Sequence, residues 1–254
     1  MILDKFKLNG KVAIVTGCST GLGQGMSIAF AEAGANIVGV DYVDNSDDTK
    51  KKVAAAGGQF LYIQANLLTI APIEGIIKQA LDKFGRIDIL VNNAGIIRRV
   101  DAIEYSEKDW DDVLNINLKT VFFFSQMVAK QFVKQGHGGK IINIASMLSF
   151  QGGIRVPSYT ASKSAVMGIT RALANEWAKY NININAMAPG YMATNNTAAL
   201  RSDEDRSAEI LGRIPAGRWG TPEDLQGVAL MLASEASNYV NGFTIAVDGG
   251  WLAR

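Results

Sequence analysis

Tyr159 and Lys163 stand four residues apart and could move a proton between them. At i and i+4 they project from one face of a helix. An unperturbed phenol titrates near ~10, too high for a base at neutral pH. An ammonium beside it favours the phenolate, and a cationic cofactor would do so further. Ser146 lies 159 − 146 = 13 residues upstream, and its hydroxyl could hold a substrate oxygen during the transfer. Taken singly, each has an ordinary explanation: an exposed helix face for the pair, a turn or cap for the serine. Composition raises their weight. The 254 residues include one His and one Cys. These cannot build a His-rich zinc site, a Cys-ligated cluster or a disulfide framework, so no metal is expected. A Ser-His-Asp triad would depend on His137, which sits in Gly136-His137-Gly138-Gly139 and reads as a solvated turn. Acid-base work therefore falls to Tyr, Lys, Asp or Glu.

A second constellation lies near the start. An apolar run leads into Thr16-Gly17-Cys18-Ser19-Thr20-Gly21-Leu22-Gly23, and a helical pattern follows from Gln24 to Ala33. Glycines let the backbone approach a pyrophosphate, and the helix N-terminus adds free N–H groups and partial positive charge. Gly-x-x-x-Gly-x-Gly is weak by itself; its place between strand and helix strengthens it. Asp41 follows 41 − 23 = 18 residues after the last glycine, at the end of the second apolar run. A carboxylate there can accept both ribose hydroxyls and repels a 2′-phosphate, so NAD is expected over NADP. Cys18 has no partner thiol and is assigned no redox role.

The elements that must position these groups are legible. Near-continuous apolar runs predict strands at Val12–Thr16, Asn36–Asp41, Phe60–Ala65, Ile87–Asn92, Lys140–Ala145, Ile182–Ala186 and Phe243–Val247. Helical patterns separate them. Ser106-Glu107-Lys108-Asp109 reads as a capping box before a long helix, and Thr221-Pro222-Glu223-Asp224 as another with Pro at the first helical position. Gly34, Gly57 and Gly85 fall where helix C-caps belong. Strict strand–helix alternation predicts an α/β fold: one Rossmann-type, doubly wound domain over residues 1–254 with a seven-stranded parallel sheet. The charge of +1 argues against nucleic acid or an anionic membrane as partner. No apolar run is long enough to span a bilayer, no secretory signal is apparent, and one thiol suits the cytoplasm.

These motifs together resemble the short-chain dehydrogenase/reductase family. The resemblance rests on Thr16–Gly23, Asn92-Asn93-Ala94-Gly95, Asn117, Ser146, Tyr159-Thr160-Ala161-Ser162-Lys163, Pro189-Gly190 and Val247-Asp248-Gly249-Gly250, which span nearly the whole chain. It implies a nicotinamide cofactor, hydride exchange between a carbonyl and an alcohol, and a homotetramer or dimer. It also implies Asn117, Ser146, Tyr159 and Lys163 as the catalytic set. Asn117 rather than Asn115 is selected by the Leu118-Lys119-x-x-Phe122 that follows, with the implied role of holding a water that links Lys163 to solvent. The implied cofactor contacts are Gly17, Ser19, Thr20, Gly21, Leu22, Gly23, Asp41, Asn66, Leu67, Asn93, Ala94, Gly95, Tyr159, Lys163, Pro189, Gly190, Met192 and Thr194. Asn66 is a departure, since many relatives carry Asp there.

Arg98, Arg99 and Arg155 fall in loops expected near the nicotinamide. Arginine grips carboxylates bidentately, which points to a small acid as substrate; surface or intersubunit ion pairs are the competing explanation. Arg99, Gln151 and Arg155, with Ser146 and Tyr159, are the candidate substrate contacts. Residues 191–215, polar and irregular around Arg201–Arg206, read as a lid or as a solvated helix face. Trp251 and Leu252 are candidates for burial between subunits. A reductase of carrier-bound acyl thioesters would share the catalytic residues, but Asp41 and the neutral charge argue against it. A dinucleotide-binding redox sensor that does no chemistry would have no need of Ser146, Tyr159 and Lys163 together.

Overall fold

The computed structural model describes residues 1–254 and forms one seven-stranded, all-parallel sheet in the order β3-β2-β1-β4-β5-β6-β7. The strands are β1 (Val12–Thr16), β2 (Asn36–Asp41), β3 (Phe60–Gln64), β4 (Ile89–Asn92), β5 (Gly139–Ile144), β6 (Ile182–Pro189) and β7 (Thr244–Val247). Each expected strand is present, with ends displaced by up to three residues.

The apolar runs are continuous because both faces of the sheet are covered. Successive side chains point to opposite faces. Val12 and Ile14 thus join one core, packed under α3 (Ile73–Phe84), α5 (Thr120–Gln135) and α6 (Pro157–Trp177). Ala13 and Val15 join the other, under α1 (Gly21–Glu32), α2 (Asp47–Ala55) and α9 (Pro222–Ala233). Gly34, Gly57 and Gly85 have φ of 101°, 86° and 74°, the left-handed conformation that stops a helix with little strain in glycine.

The long helix expected after Ser106 is interrupted. Ser106 caps α4 (Glu107–Leu114) by accepting from the Asp109 N–H, but residues Asn115–Lys119 form a π-helical turn before α5 continues. Strand order reverses between β1 and β4, so the chain leaves these two strands in opposite directions and opens a crevice at their carboxyl ends.

Candidate active site

The crevice is stitched by side chains that hold the glycine loop against the end of β4. Thr16 Oγ1 accepts from the N–H groups of Asn93 and Ala94, at 2.9 Å each. Asn93 Nδ2 donates to the carbonyls of Thr16 and Gly17. A Cβ on Gly23 would lie 2.1 Å from the Gly17 carbonyl oxygen, so the loop closes on itself only without a side chain there. Gly21, at φ 56°, begins α1, whose first N–H groups have no acceptor within the helix. Ser19 Oγ is buried in this loop with no hydrogen-bond partner. Asp41 closes the far side: one oxygen accepts from the Ser19 N–H at 2.9 Å and the other from the Tyr42 N–H at 2.8 Å. The carboxylate lies half-buried and keeps lone pairs free for further donors.

Thr194 sits on the loop's other flank, its Cγ2 3.5 Å from where a Gly21 Cβ would be. Met192 reaches this flank through a parallel bridge to Gly220. Gly190 has Asp248 packed so closely that a Cβ would lie 2.7 Å from the Asp248 Cα. Leu67 is buried, and its carbonyl accepts from Thr120 Oγ1. Exposed Asn66 uses its amide oxygen to accept from the Leu68 N–H. The glycine cradle, the unpartnered Ser19 hydroxyl and the Asp41 carboxylate fit a dinucleotide with a diphosphate bridge. Cys18 is fully buried and its thiol is pushed up to about 12 by burial, with Asp41 adding to it, so it is no nucleophile.

Ser146 ends the chain segment that leaves β5, and its hydroxyl caps the turn Met147–Ser149 by accepting from the Leu148 N–H at 3.1 Å. Tyr159 and Lys163 lie on the first turns of α6, which begins with Pro157 in the position that needs no N–H. Lys163 Nζ is 5.6 Å from the centre of the Tyr159 ring and donates to the Ile144 carbonyl at 2.6 Å. Burial raises the Tyr159 phenol above its ordinary value, opposed by the Ser146 hydroxyl and the Arg99 charge. In the chain itself desolvation outweighs both, and the Lys163 ammonium is held beside the ring by the Ile144 carbonyl.

Lys163 is 4% exposed and has no carboxylate partner; burial pushes it down to about 8. A folded-state pKa below the unfolded value near 10.5 destabilises the fold below about pH 8, and that penalty fades as pH rises towards 10.5. Lys163→Met should accordingly raise stability at pH 7. The titration contributes about 3 kcal/mol and the orphaned Ile144 carbonyl removes about 1. Denaturant unfolding at pH 7 and pH 10 checks it: the gain should be largest at pH 7, and a loss of stability there would refute it.

Asn117 occupies the π-helical turn and is fully buried. Its side chain accepts from the Ile96 N–H and donates to the Ile96 carbonyl, both at 2.9 Å, and reaches Ser162 Oγ at 3.3 Å. It thus fixes the loop after β4 beside the helix that carries Tyr159. Gly95 lies against the same amide.

The arginines divide. Arg98 pairs with Asp109 at 3.3 Å, and Arg155, at φ 63°, pairs with Asp101 at 2.8 Å with both side chains exposed. Arg99 instead bears electrostatically on Tyr159 and Tyr191 and donates to the Asn196 carbonyl at 3.3 Å, at the edge of residues 191–215. Gln151 is half-buried in the bend after the Ser146 turn. Residues 191–215 contain α7 (Ala198–Ser202) and α8 (Glu204–Arg213). Ile210 and Ile214 pack on Met147 and Trp251, and the Arg213 guanidinium lies 4.1 Å from the centre of the Trp251 ring. Trp251 is therefore covered by its own chain, a different outcome from the intersubunit burial anticipated for it.

Sequence reasoning missed a buried polar ladder. Asn92 Nδ2 donates to Ser125 Oγ and to Asn143 Oδ1, and Asn143 Nδ2 donates to Thr170 Oγ1. It ties β4 and β5 to α5 and α6, the elements carrying Asn117, Ser146 and Tyr159. The signal was available as asparagines inside otherwise apolar strands.

The family model described as short chain dehydrogenase matches residues 11–205. The chain belongs to this family and is an oxidoreductase. It is 70% identical, over the full length of both chains, to 2-dehydro-3-deoxy-D-gluconate 5-dehydrogenase of Dickeya dadantii (strain 3937). Among solved structures it resembles a candidate 2-deoxy-D-gluconate 3-dehydrogenase of Agrobacterium tumefaciens with bound NADP, at 51% identity and TM-score 0.92 over 98% of this chain and 99% of that one. A gluconate 5-dehydrogenase of Burkholderia cenocepacia J2315 in complex with NADP and tartrate is 37% identical, with a TM-score of 0.94 over the whole of both chains.

Proposed function

We propose that this enzyme interconverts a ketone and a secondary alcohol on a six-carbon deoxy sugar acid, with NAD as cofactor. The substrate pair that fits is 3-deoxy-D-glycero-2,5-hexodiulosonate and 2-dehydro-3-deoxy-D-gluconate, reacting at C5; oxidation of 2-deoxy-D-gluconate at C3 is the second reading. The observation that carries the proposal is the Ser146–Tyr159–Lys163 group at the carboxyl edge of the sheet, joined to 70% identity with a sugar-acid dehydrogenase.

When bound, the nicotinamide supplies or accepts the hydride. Ser146 and Tyr159 hold the substrate oxygen, and in reduction Tyr159 gives that oxygen its proton. Lys163 faces the tyrosine ring and its charge favours the phenolate left behind. Asn117 holds the loop after β4 in place, and through it the water route to Lys163. Arg99 is the best-placed carboxylate anchor, being the arginine whose charge reaches Tyr159. Residues 191–215 act as the lid, and the assembly is a cytoplasmic homotetramer.

The reading of NAD over NADP rests on charge. Asp41 is followed by Asp44, Asp47 and Asp48, and Lys52 is engaged by Asp48 at 2.7 Å and by Gln24. A 2′-phosphate there would face carboxylates. Asp41→Ser should lower kcat/KM with NADH about 10–100-fold, the worth of hydrogen bonds to a charged group, while NADPH loses less. Initial rates with both cofactors check this; an unchanged NADH:NADPH ratio would refute it. For the substrate, hexulosonates and deoxy sugar acids are assayed by NADH absorbance beside an acyl thioester. Turnover of the thioester alone would overturn the proposal in favour of an acyl-carrier reductase.

A further inference from the structure

The opposite edge of the sheet, at the amino ends of β1, β4, β5 and β6, holds a cavity of about 730 Å³ that the reaction does not use. Its wall is rich in amides and ammonium groups, including Lys11, Lys140, Asn183, Asn238 and Asn241. Lys140 begins β5 and is paired in register with Asn183 on β6. Its Nζ donates to Asn183 Oδ1 at 2.8 Å and to Asn238 Oδ1 at 2.7 Å. Two neutral oxygens thus fix the amine, one N–H is left over, and no carboxylate lies within ion-pair distance.

The charged neighbours do not fill this gap. Asp88 already accepts from the Val12 N–H, from Arg86 through both oxygens, and faces Lys11 at 3.5 Å. His137 is satisfied by Gln135 and the Gly138 carbonyl. Lys7 is taken by Asp4. Glu235 acts on Lys140 only at a distance, and Lys11 repels it. Burial with that repulsion pushes Lys140 down to about 8, as expected of an ammonium without its counter-charge.

From this cavity and its unmatched cation we infer a second ligand site, which binds a small oxyanion, a carboxylate or a phosphate, on Lys140 with Lys11 beside it. The oxyanion accepts the free N–H of Lys140 and screens the two ammonium groups from each other. Asn183 and Asn241 spend amide donors on the carbonyls of Asn238, Val240 and Ile182, which leaves the Asn238 amide N–H groups to donate to a remaining oxygen. The site stands apart from the dinucleotide crevice, at the other end of the strands, so its occupancy does not depend on the function proposed above.

The test is limited acylation of the lysines of the intact enzyme, saturated with NADH, read by peptide mass spectrometry. Inorganic phosphate and gluconate are the two probes. Labelling of Lys140 should slow about tenfold once the anion exceeds its Kd about tenfold, while Lys52 and Lys78, held in exposed ion pairs, keep their rates. Protection by phosphate alone, by gluconate alone or by both identifies the source of the oxyanion. No slowing with either, or equal slowing at every lysine, would overturn the site. As a second measurement, Lys140→Gln should lose the anion-induced rise in Tm that Lys78→Gln retains; a rise kept in Lys140→Gln counts against the inference. The labelling arm uses the natural chain, so it stands if Lys140→Gln folds poorly.

Discussion

Tyr159→Phe is expected to lower kcat by about 10²–10⁴-fold while the dinucleotide still binds. The substitution removes one oxygen and keeps the ring that packs beside Lys163. That oxygen is the only titratable group set against Ser146 and influenced by Arg99. No histidine stands in reserve, since His137 lies in the exposed turn at the other end of the sheet. A phenol raised by burial holds its proton at neutral pH, which suits it to donate in the reduction direction. Oxidation then needs positive charge to draw the proton off, and this is where the oxidised nicotinamide and Lys163 act together. The check is NADH consumption at saturating substrate, with NADH affinity measured separately by fluorescence. Turnover within tenfold of the natural enzyme would end the assignment of Tyr159. Lost NADH binding would mean that the variant reports on the cradle and not on the proton.

Gly23→Ala is expected to weaken dinucleotide binding at least about tenfold and to destabilise the fold by about 1–3 kcal/mol. The added Cβ would lie 2.1 Å from the Gly17 carbonyl oxygen and 2.6 Å from Asn93 Nδ2. Neither is the end of a flexible chain: the first is backbone, and the amide is fixed by bonds to Thr16 and Gly17. The glycine loop must move, and it would carry with it the free N–H groups at the start of α1. Gly75→Ala in α3 is the matched control, because a Cβ there meets nothing within 4 Å. It should stabilise by up to about 1 kcal/mol, through helix propensity alone. Denaturant melts and NADH titrations of both variants decide the matter. Equal effects would show that close approach at Gly23 is not what the loop requires.

The strands were legible because a parallel sheet covered on both faces leaves an uninterrupted apolar run, as at Val12–Thr16 and Ile89–Asn92. Glycine caps were legible because left-handed φ selects one residue type, and all three fell where expected. The break at Asn115–Lys119 was not legible. An extra residue in one helical turn leaves the apolar pattern nearly intact, so nothing in Trp110–Phe123 distinguishes a π-turn from a straight helix. The turn brings Asn117 against Ile96, a partner 21 residues away that no local pattern names. The asparagines of the polar ladder stand out in apolar strands, but their partners were hidden for the same reason: they meet only between elements distant in the chain.

What the sequence determined by itself is the chemistry: a tyrosine and a lysine on one helix face, a serine before them, a glycine loop, and an acid at the second strand's end. Residue type and short spacing carry that information, because one helical turn or one strand–loop–helix unit places such groups without help from elsewhere. Only the tertiary structure decided which charges are free. Arg98, Arg99 and Arg155 are indistinguishable as letters, yet two pair with Asp109 and Asp101 while Arg99 has no carboxylate partner and its charge reaches Tyr159. Lys163 and Lys140 differ from the exposed lysines only because folding strips water from them without supplying a carboxylate. Desolvation and ion pairing depend on neighbours distant in the chain, so the electrostatics of this protein is a property of its packing.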